Sequence, residues 1–135
     1  LEKAENPHIL NDSPPFSFDE HPKGMFSLHP RHLAGKTAYM AAKYLMTFWT
    51  IGLSAELKNK GIAVNSIWPV TPIDTAAVRN LIQGALPNAR SPDIMADASY
   101  VILNKEAKTF TGQTLLDEEV LRAEGITDFS KYNIQ

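Results

Sequence analysis

Cysteine is absent from these 135 residues, which removes disulfides, thiol nucleophiles and Cys-ligated zinc at once and fits a reducing compartment. An excess of charge is missing too. Thirteen Lys and Arg stand against fifteen Asp and Glu, a net charge of -2, so there is no electrostatic footprint for nucleic acid or an anionic membrane. No apolar run approaches about 18 residues and no signal-peptide pattern opens the chain. A soluble protein is therefore expected, cytoplasmic by default with an organelle left open. Repeats and low-complexity tracts are lacking, and the seven glycines are scattered rather than gathered into a phosphate-cradling loop. What is present is ordinary: 44% hydrophobic and 21% charged residues exclude disorder and a coiled coil, and the length suits about one domain.

Pattern divides the chain unevenly. Five of the nine prolines and all four histidines (His8, His21, His29, His32) fall before residue 33. Leu1 to Glu5 reads as a helix tail. His8-Ile9-Leu10-Asn11 reads as a short strand, stopped by Pro14-Pro15, which lack the N–H a ladder needs. Phe16 to Gly35 has no period and reads as a long surface loop or lid. The histidine spacing matches no metal motif, so solvated loop histidines are the better reading and no metal is expected.

From Lys36 to about Lys60, Ala38, Ala41, Ala42, Leu45, Met46, Trp49, Leu53 and Leu57 fall near a 3.6 period, predicting a long helix with that apolar face. Ile62 to Ile67 reads as a buried strand ended by Pro69. Asp74 to Gln83 predicts a short helix, and Asp93 to Asn104 another with Ile94, Ala98, Val101 and Ile102 inward. Phe110 to Asp117 predicts a last strand, followed by a tail with a short acidic helix. Helix running straight into an apolar strand suggests half of a βαβ unit and a parallel α/β sheet.

Chemistry concentrates near the start of the long helix, at Tyr39-Met40-Ala41-Ala42-Lys43. Spacing of i and i+4 puts a phenol and an ammonium on one helical face. A nearby cation favours phenolate, so it lowers a tyrosine pKa toward the range of a general acid or base. With four Tyr and nine Lys, chance supplies roughly 0.3 such pairs, so the spacing decides nothing by itself.

The surrounding motifs decide more. Ile9 to Ser13, Tyr39-x-x-x-Lys43, Val64-Asn65-Ser66-Ile67-Trp68-Pro69, and Thr111-Gly112-Gln113 with Asp117 follow one another in an order and at separations similar to the second half of the short-chain dehydrogenase/reductase family. Asn11-x-Ser13-Pro14-Pro15, Trp68-Pro69-x-Thr71 and Asp117-Glu118-Glu119 resemble its hydroxysteroid-dehydrogenase-like branch. The resemblance implies a Rossmann-like, doubly wound parallel sheet, of which residues 1–135 supply the C-terminal, catalytic half. It implies a nicotinamide cofactor, NAD or NADP with a lean to NADP, and hydride exchange between alcohol and carbonyl. Tyr39 would be the general acid/base. Lys43 would lower its pKa and bind the nicotinamide ribose, and Ser13 would be the catalytic serine. Pro69, Val70, Ile73 and Thr75 would lie against the nicotinamide, the carboxamide contact being open between Ile73, Thr75 and Thr71. A small-molecule alcohol or carbonyl and a homo-oligomer, dimer or tetramer, are the implied partners.

Departures from the pattern matter. Pro69-Val70 stands where the family commonly has Pro-Gly, and Asp117-Glu118-Glu119 where it has Asp-Gly-Gly. Pro14 takes the place of a second serine. Ser13 lies 26 residues before Tyr39, and Ser27 is nearer the usual separation but follows no strand. The glycine-rich dinucleotide loop is missing, so these residues are expected to be part of a longer chain and inactive alone. A catalytically silent cofactor-binding or scaffold protein on the same fold is the alternative.

Overall fold

The computed structural model describes residues 1–18, 27–82 and 84–134. Three strands, β1 (His8–Asp12), β2 (Ala63–Trp68) and β3 (Thr114–Leu116), form a parallel sheet in that order. Leu10 pairs with Asn65 across β1 and β2, and Ile67 with Leu115 across β2 and β3. Parallel neighbours need crossovers. Helix α1 (Pro30–Leu33) and the long α2 (Thr37–Glu56) lie between β1 and β2; α3 (Ala76–Leu81) and α4 (Asp93–Leu103) lie between β2 and β3, and α5 (Asp117–Ala123) follows. The α/β class and the parallel sheet stand as expected.

β2 is buried along its whole length, as a central strand covered on both faces must be. One face carries Leu10, Ile67 and Leu115 into a core with Ile94, Ala98 and Ile102 of α4, Val120 and Leu121 of α5, and Phe129 and Tyr132. The other face meets α2, whose Thr50 hydroxyl accepts from the Asn11 side chain at 2.9 Å.

Helix α2 overturns the expected burial. Its buried residues are Met40, Tyr44, Thr47, Thr50 and Ser54, whereas Leu45 and Trp49, together with Phe48 and Ile51, are exposed. Small hydroxyl side chains let a helix sit close on a strand while satisfying their own polarity. Thr47 donates to the Pro14 carbonyl at 2.6 Å, Thr50 to Met46 O and Ser54 to Ile51 O. A count of apolar periodicity selects the opposite stripe.

The expected last strand shortens to Thr114–Leu116 because Gly112, at φ 75°, turns the chain. A Cβ there would stand 3.0 Å from Ser54 Oγ, a tight contact against α2, and the positive φ itself favours glycine. Backbone bonds from Gly112 N to Val64 O at 2.8 Å and from Ser66 N to Gln113 O at 2.9 Å tie the turn to β2, and side chains add to them. Thr111 Oγ1 accepts from Val64 N at 3.0 Å, and Asn65, fully buried, donates to Phe110 O and accepts from Gln113 N, both at 2.9 Å.

Other boundaries move slightly. Leu1 to Glu5 is a turn closed by Ala4 N on Leu1 O, not a helix tail. Thr75 caps α3 by accepting from Val78 N, so the helix starts after it. Of the expected lid, residues 19–26 lie outside the described residues. Its flanks show Phe16 stacked on Tyr44 at 5.5 Å and Leu28 N bonded to Ser17 O.

Candidate active site

The residues of interest gather at the carboxyl ends of the parallel strands, where ligands of open α/β sheets bind. Asp12 and Ser13 end β1, Trp68, Pro69 and Val70 end β2, and Asp117 follows β3. Tyr39 sits in the first turn of α2 and Lys43 in the next. A 20-residue helix is stiff enough to fix both against the strand ends.

Lys43 makes the central link. Its ammonium donates to the Asp12 carbonyl at 2.8 Å, lies 3.5 Å from the Asp12 carboxylate, and stands 5.4 Å from the centre of the Trp68 ring. One cation thus bridges the ends of β1 and β2. Trp68 is nearly buried, so the ring presents a face to the charge rather than to water. Sequence reasoning did not find Asp12 or Trp68 as partners of Lys43. The signal was faint: an acidic residue directly before Ser13, and an aromatic where β2 meets Pro69.

Tyr39 departs from expectation. Burial raises its phenol above the ordinary tyrosine value, and the Asp12 carboxylate adds to the rise. The Lys43 ammonium is engaged with Asp12. The ring remains half exposed. In this arrangement the phenol holds its proton, the form that donates to an oxyanion.

The two serines differ in engagement. Ser13 is fully buried, its backbone N–H bonded to Ile67 O at 3.1 Å, and its hydroxyl has no partner among the described residues. Ser27 is also buried, but its hydroxyl pairs with His32 Nδ1 at 2.7 Å and accepts from His29 N at 3.1 Å. His29 in turn caps α1 by accepting from Arg31 N, and His8 Nε2 lies 3.0 Å from Lys105 O. Among the described residues no three His, Asp or Glu gather as a metal site, and His21 lies outside them.

Beyond β2 the chain runs as a strap from Pro69 to Thr75. Val70 N donates to Asp117 Oδ1 at 3.0 Å. Ile73 bridges Arg90, with Arg90 N on Pro72 O at 2.9 Å and Asp74 N on Arg90 O at 2.8 Å. Thr75 Oγ1 is taken by its capping bond, whereas Thr71 Oγ1 is buried without a partner among the described residues. Thr71 and Arg90 line an open cleft of about 300 Å³. Arg90, some twenty residues further on, carried no sequence signal for this role.

No protein-family model matches the chain. Hydroxysteroid dehydrogenase-like protein 2 of Xenopus laevis is 44% identical over 135 residues, 99% of this chain and 30% of the relative. The Homo sapiens protein of that name is 40% identical over 136 residues, again 30% of its length. A short chain dehydrogenase from Mycobacterium thermoresistibile superposes with a TM-score of 0.77 at 44% identity, covering 98% of this chain and 44% of the other. A protein from Xanthomonas campestris described as a dehydrogenase gives 0.84 at 42%, covering 100% and 46%. The chain spans under a third of the curated relatives it matches and less than half of these structures. Among the described residues no helix is long and apolar enough to cross a membrane.

Proposed function

We propose that this chain, which resembles part of the short-chain dehydrogenases along its whole length, carries the acid–base side of a nicotinamide-dependent oxidoreductase interconverting an alcohol and a carbonyl. The carrying observation is the Lys43 ammonium held across the ends of β1 and β2, one helical turn from Tyr39. In the reductive direction the Tyr39 phenol donates its proton to the carbonyl oxygen. Ser13, with an unused hydroxyl at the end of β1, hydrogen-bonds the same oxygen. Lys43, tied to Asp12 and set over the Trp68 ring, fixes the cationic side of the site one helical turn from the phenol.

The nicotinamide nucleotide, when bound, supplies or accepts the hydride. Two features fit it. Lys43 has three donors and a single carbonyl and carboxylate pair beside it, leaving one for a ribose hydroxyl. Thr71 Oγ1 is buried and unpartnered on the strap, which suits a carboxamide better than the occupied Thr75. Tyr39 and Lys43 would hold the ribose, and Pro69, Val70 and Ile73 would line the nicotinamide. NAD or NADP serves equally, since no residue that sorts the two is among these.

Pro14 and Val70, each replacing a residue the family pattern expects, favour a second reading, a cofactor-binding protein without turnover. Calorimetric titration of the full-length protein with NAD and NADP, followed by a carbonyl panel, separates them. Binding with turnover is expected; binding without any turnover would hand the function to the second reading.

The homo-oligomer belongs to the same proposal. Phe48 is 67% and Trp49 56% exposed, and with Leu45 and Ile51 they form an apolar face on α2. A second copy laid along that face would bury it. Trp49→Glu is expected to halve the sedimenting mass of the full-length protein, and an unchanged mass would remove α2 from the interface.

A further inference from the structure

We infer that Asp117 and Glu118 act together as a two-point clamp that positions the Pro69–Thr75 strap, and through it sets affinity for the nicotinamide nucleotide. The inference rests on the reading above that the strap lies against the nicotinamide.

Asp117 is fully buried at the start of α5. Its Oδ1 accepts from Val70 N at 3.0 Å and from Glu118 N at 2.7 Å, while Oδ2 is buried without a partner among the described residues. A carboxyl in that position is costly unless it does something a hydrophobe would not. Beyond its own helix it accepts from the backbone of the first strap residue after Pro69, where the amide has no strand to pair with.

Glu118 reaches the far end of the strap through Arg90. The two side chains form a largely buried ion pair, and the Arg90 backbone carries the strap on both sides, at Pro72 O and Asp74 N. Arg90 is further fixed by the Phe129 ring, 5.2 Å from its guanidinium, and by a bridge to Asn133. Glu118 also accepts from Arg122 at 3.2 Å. The two departures from the family pattern are thereby one device. Glycine after Asp117 could not hold Arg90, and Val70 in place of glycine stiffens the strap residue that Asp117 grips.

Burial lifts the Asp117 carboxyl above the usual aspartate value and the Glu118 carboxylate adds to the rise, partly offset by the two N–H donors and by Arg90. The neutral amide of Asn is therefore the fitting conservative replacement, keeping an acceptor for Val70 N.

The test uses the full-length protein and two reporters: hydrogen exchange at the Val70 and Asp74 amides, and steady-state kinetics with NAD and NADP. Asp117→Ala is expected to speed Val70 exchange about tenfold and raise the nucleotide KM about tenfold with kcat within about twofold. Asp117→Asn should recover both to within about threefold. Glu118→Gly, which keeps the Val70 bond, is expected to speed Asp74 exchange selectively and to raise the same KM. It carries the test should the alanine variant fail to fold. Unchanged exchange, or faster exchange with unchanged KM, overturns the clamp, as does an equal loss in kcat that Asn does not rescue. If the wild type binds no nucleotide while Asp117→Ala still frees Val70, the functional reading has failed and the clamp's affinity role with it, but the mechanical tie is seen to exist.

Discussion

Tyr39→Phe is expected to lower kcat for carbonyl reduction by about 10²- to 10⁴-fold in the full-length protein, with nucleotide affinity within about twofold of wild type. The change removes one hydroxyl and keeps the ring. Because Tyr39 is half exposed on the first turn of α2 and outside the core cluster, the melting temperature should hardly move. What is lost is the proton donor itself, since no other phenol stands on that turn. Tyr44, the next tyrosine along α2, is buried against Phe16. The pH profile carries a second signature. Burial and Asp12 hold the Tyr39 phenol above the ordinary tyrosine value, so the proton-donating form persists as pH rises and reduction declines only when the raised pKa is crossed. Alcohol oxidation, which needs the deprotonated form, should gain over the same interval. Turnover within about threefold of wild type in the phenylalanine variant would move the acid/base role elsewhere.

Asn65→Ala should be the most destabilising single change at a residue that touches no substrate, about 3 kcal/mol by urea unfolding. The side chain is fully buried and makes two bonds at once, donating to Phe110 O and accepting from Gln113 N. Alanine leaves a carbonyl and an amide without partners, each costing about 1–3 kcal/mol when buried. The loss falls where the chain turns at Gly112, so β3 would lose its approach to β2 and Asp117 its place at the strand end. A measured loss below about 1 kcal/mol would mean that the turn holds itself through Thr111 and Gly112 alone.

The helices were legible where local rules act. Asp93 to Asn104 reads with Ile94, Ala98, Val101 and Ile102 inward, and the structure buries Ile94, Ala98 and Ile102 and leaves Val101 partly buried against the same core. The long helix was legible in extent but not in orientation, because Thr47, Thr50 and Ser54 reach backbone carbonyls that only the packed helix brings near. Strand β3 was overlong in the reading because Phe110 to Gln113 has strand-like composition, and a positive φ at Gly112 is not audible in composition.

The same division runs through the site. Tyr39 and Lys43 share a helix, so a spacing of four residues determines that they share a face, and the order of motifs along the chain determines the α/β class and which strand ends they meet. Those are short-range, periodic facts, and a sequence carries them directly. That Lys43 faces Asp12 and Trp68, that the phenol is held up rather than pulled down, and that Asp117 grips Val70 across 47 positions of chain were decided by the tertiary structure. Burial and electrostatic strength depend on which segments exclude water from one another, and three parallel strands side by side settle that through contacts no local pattern encodes.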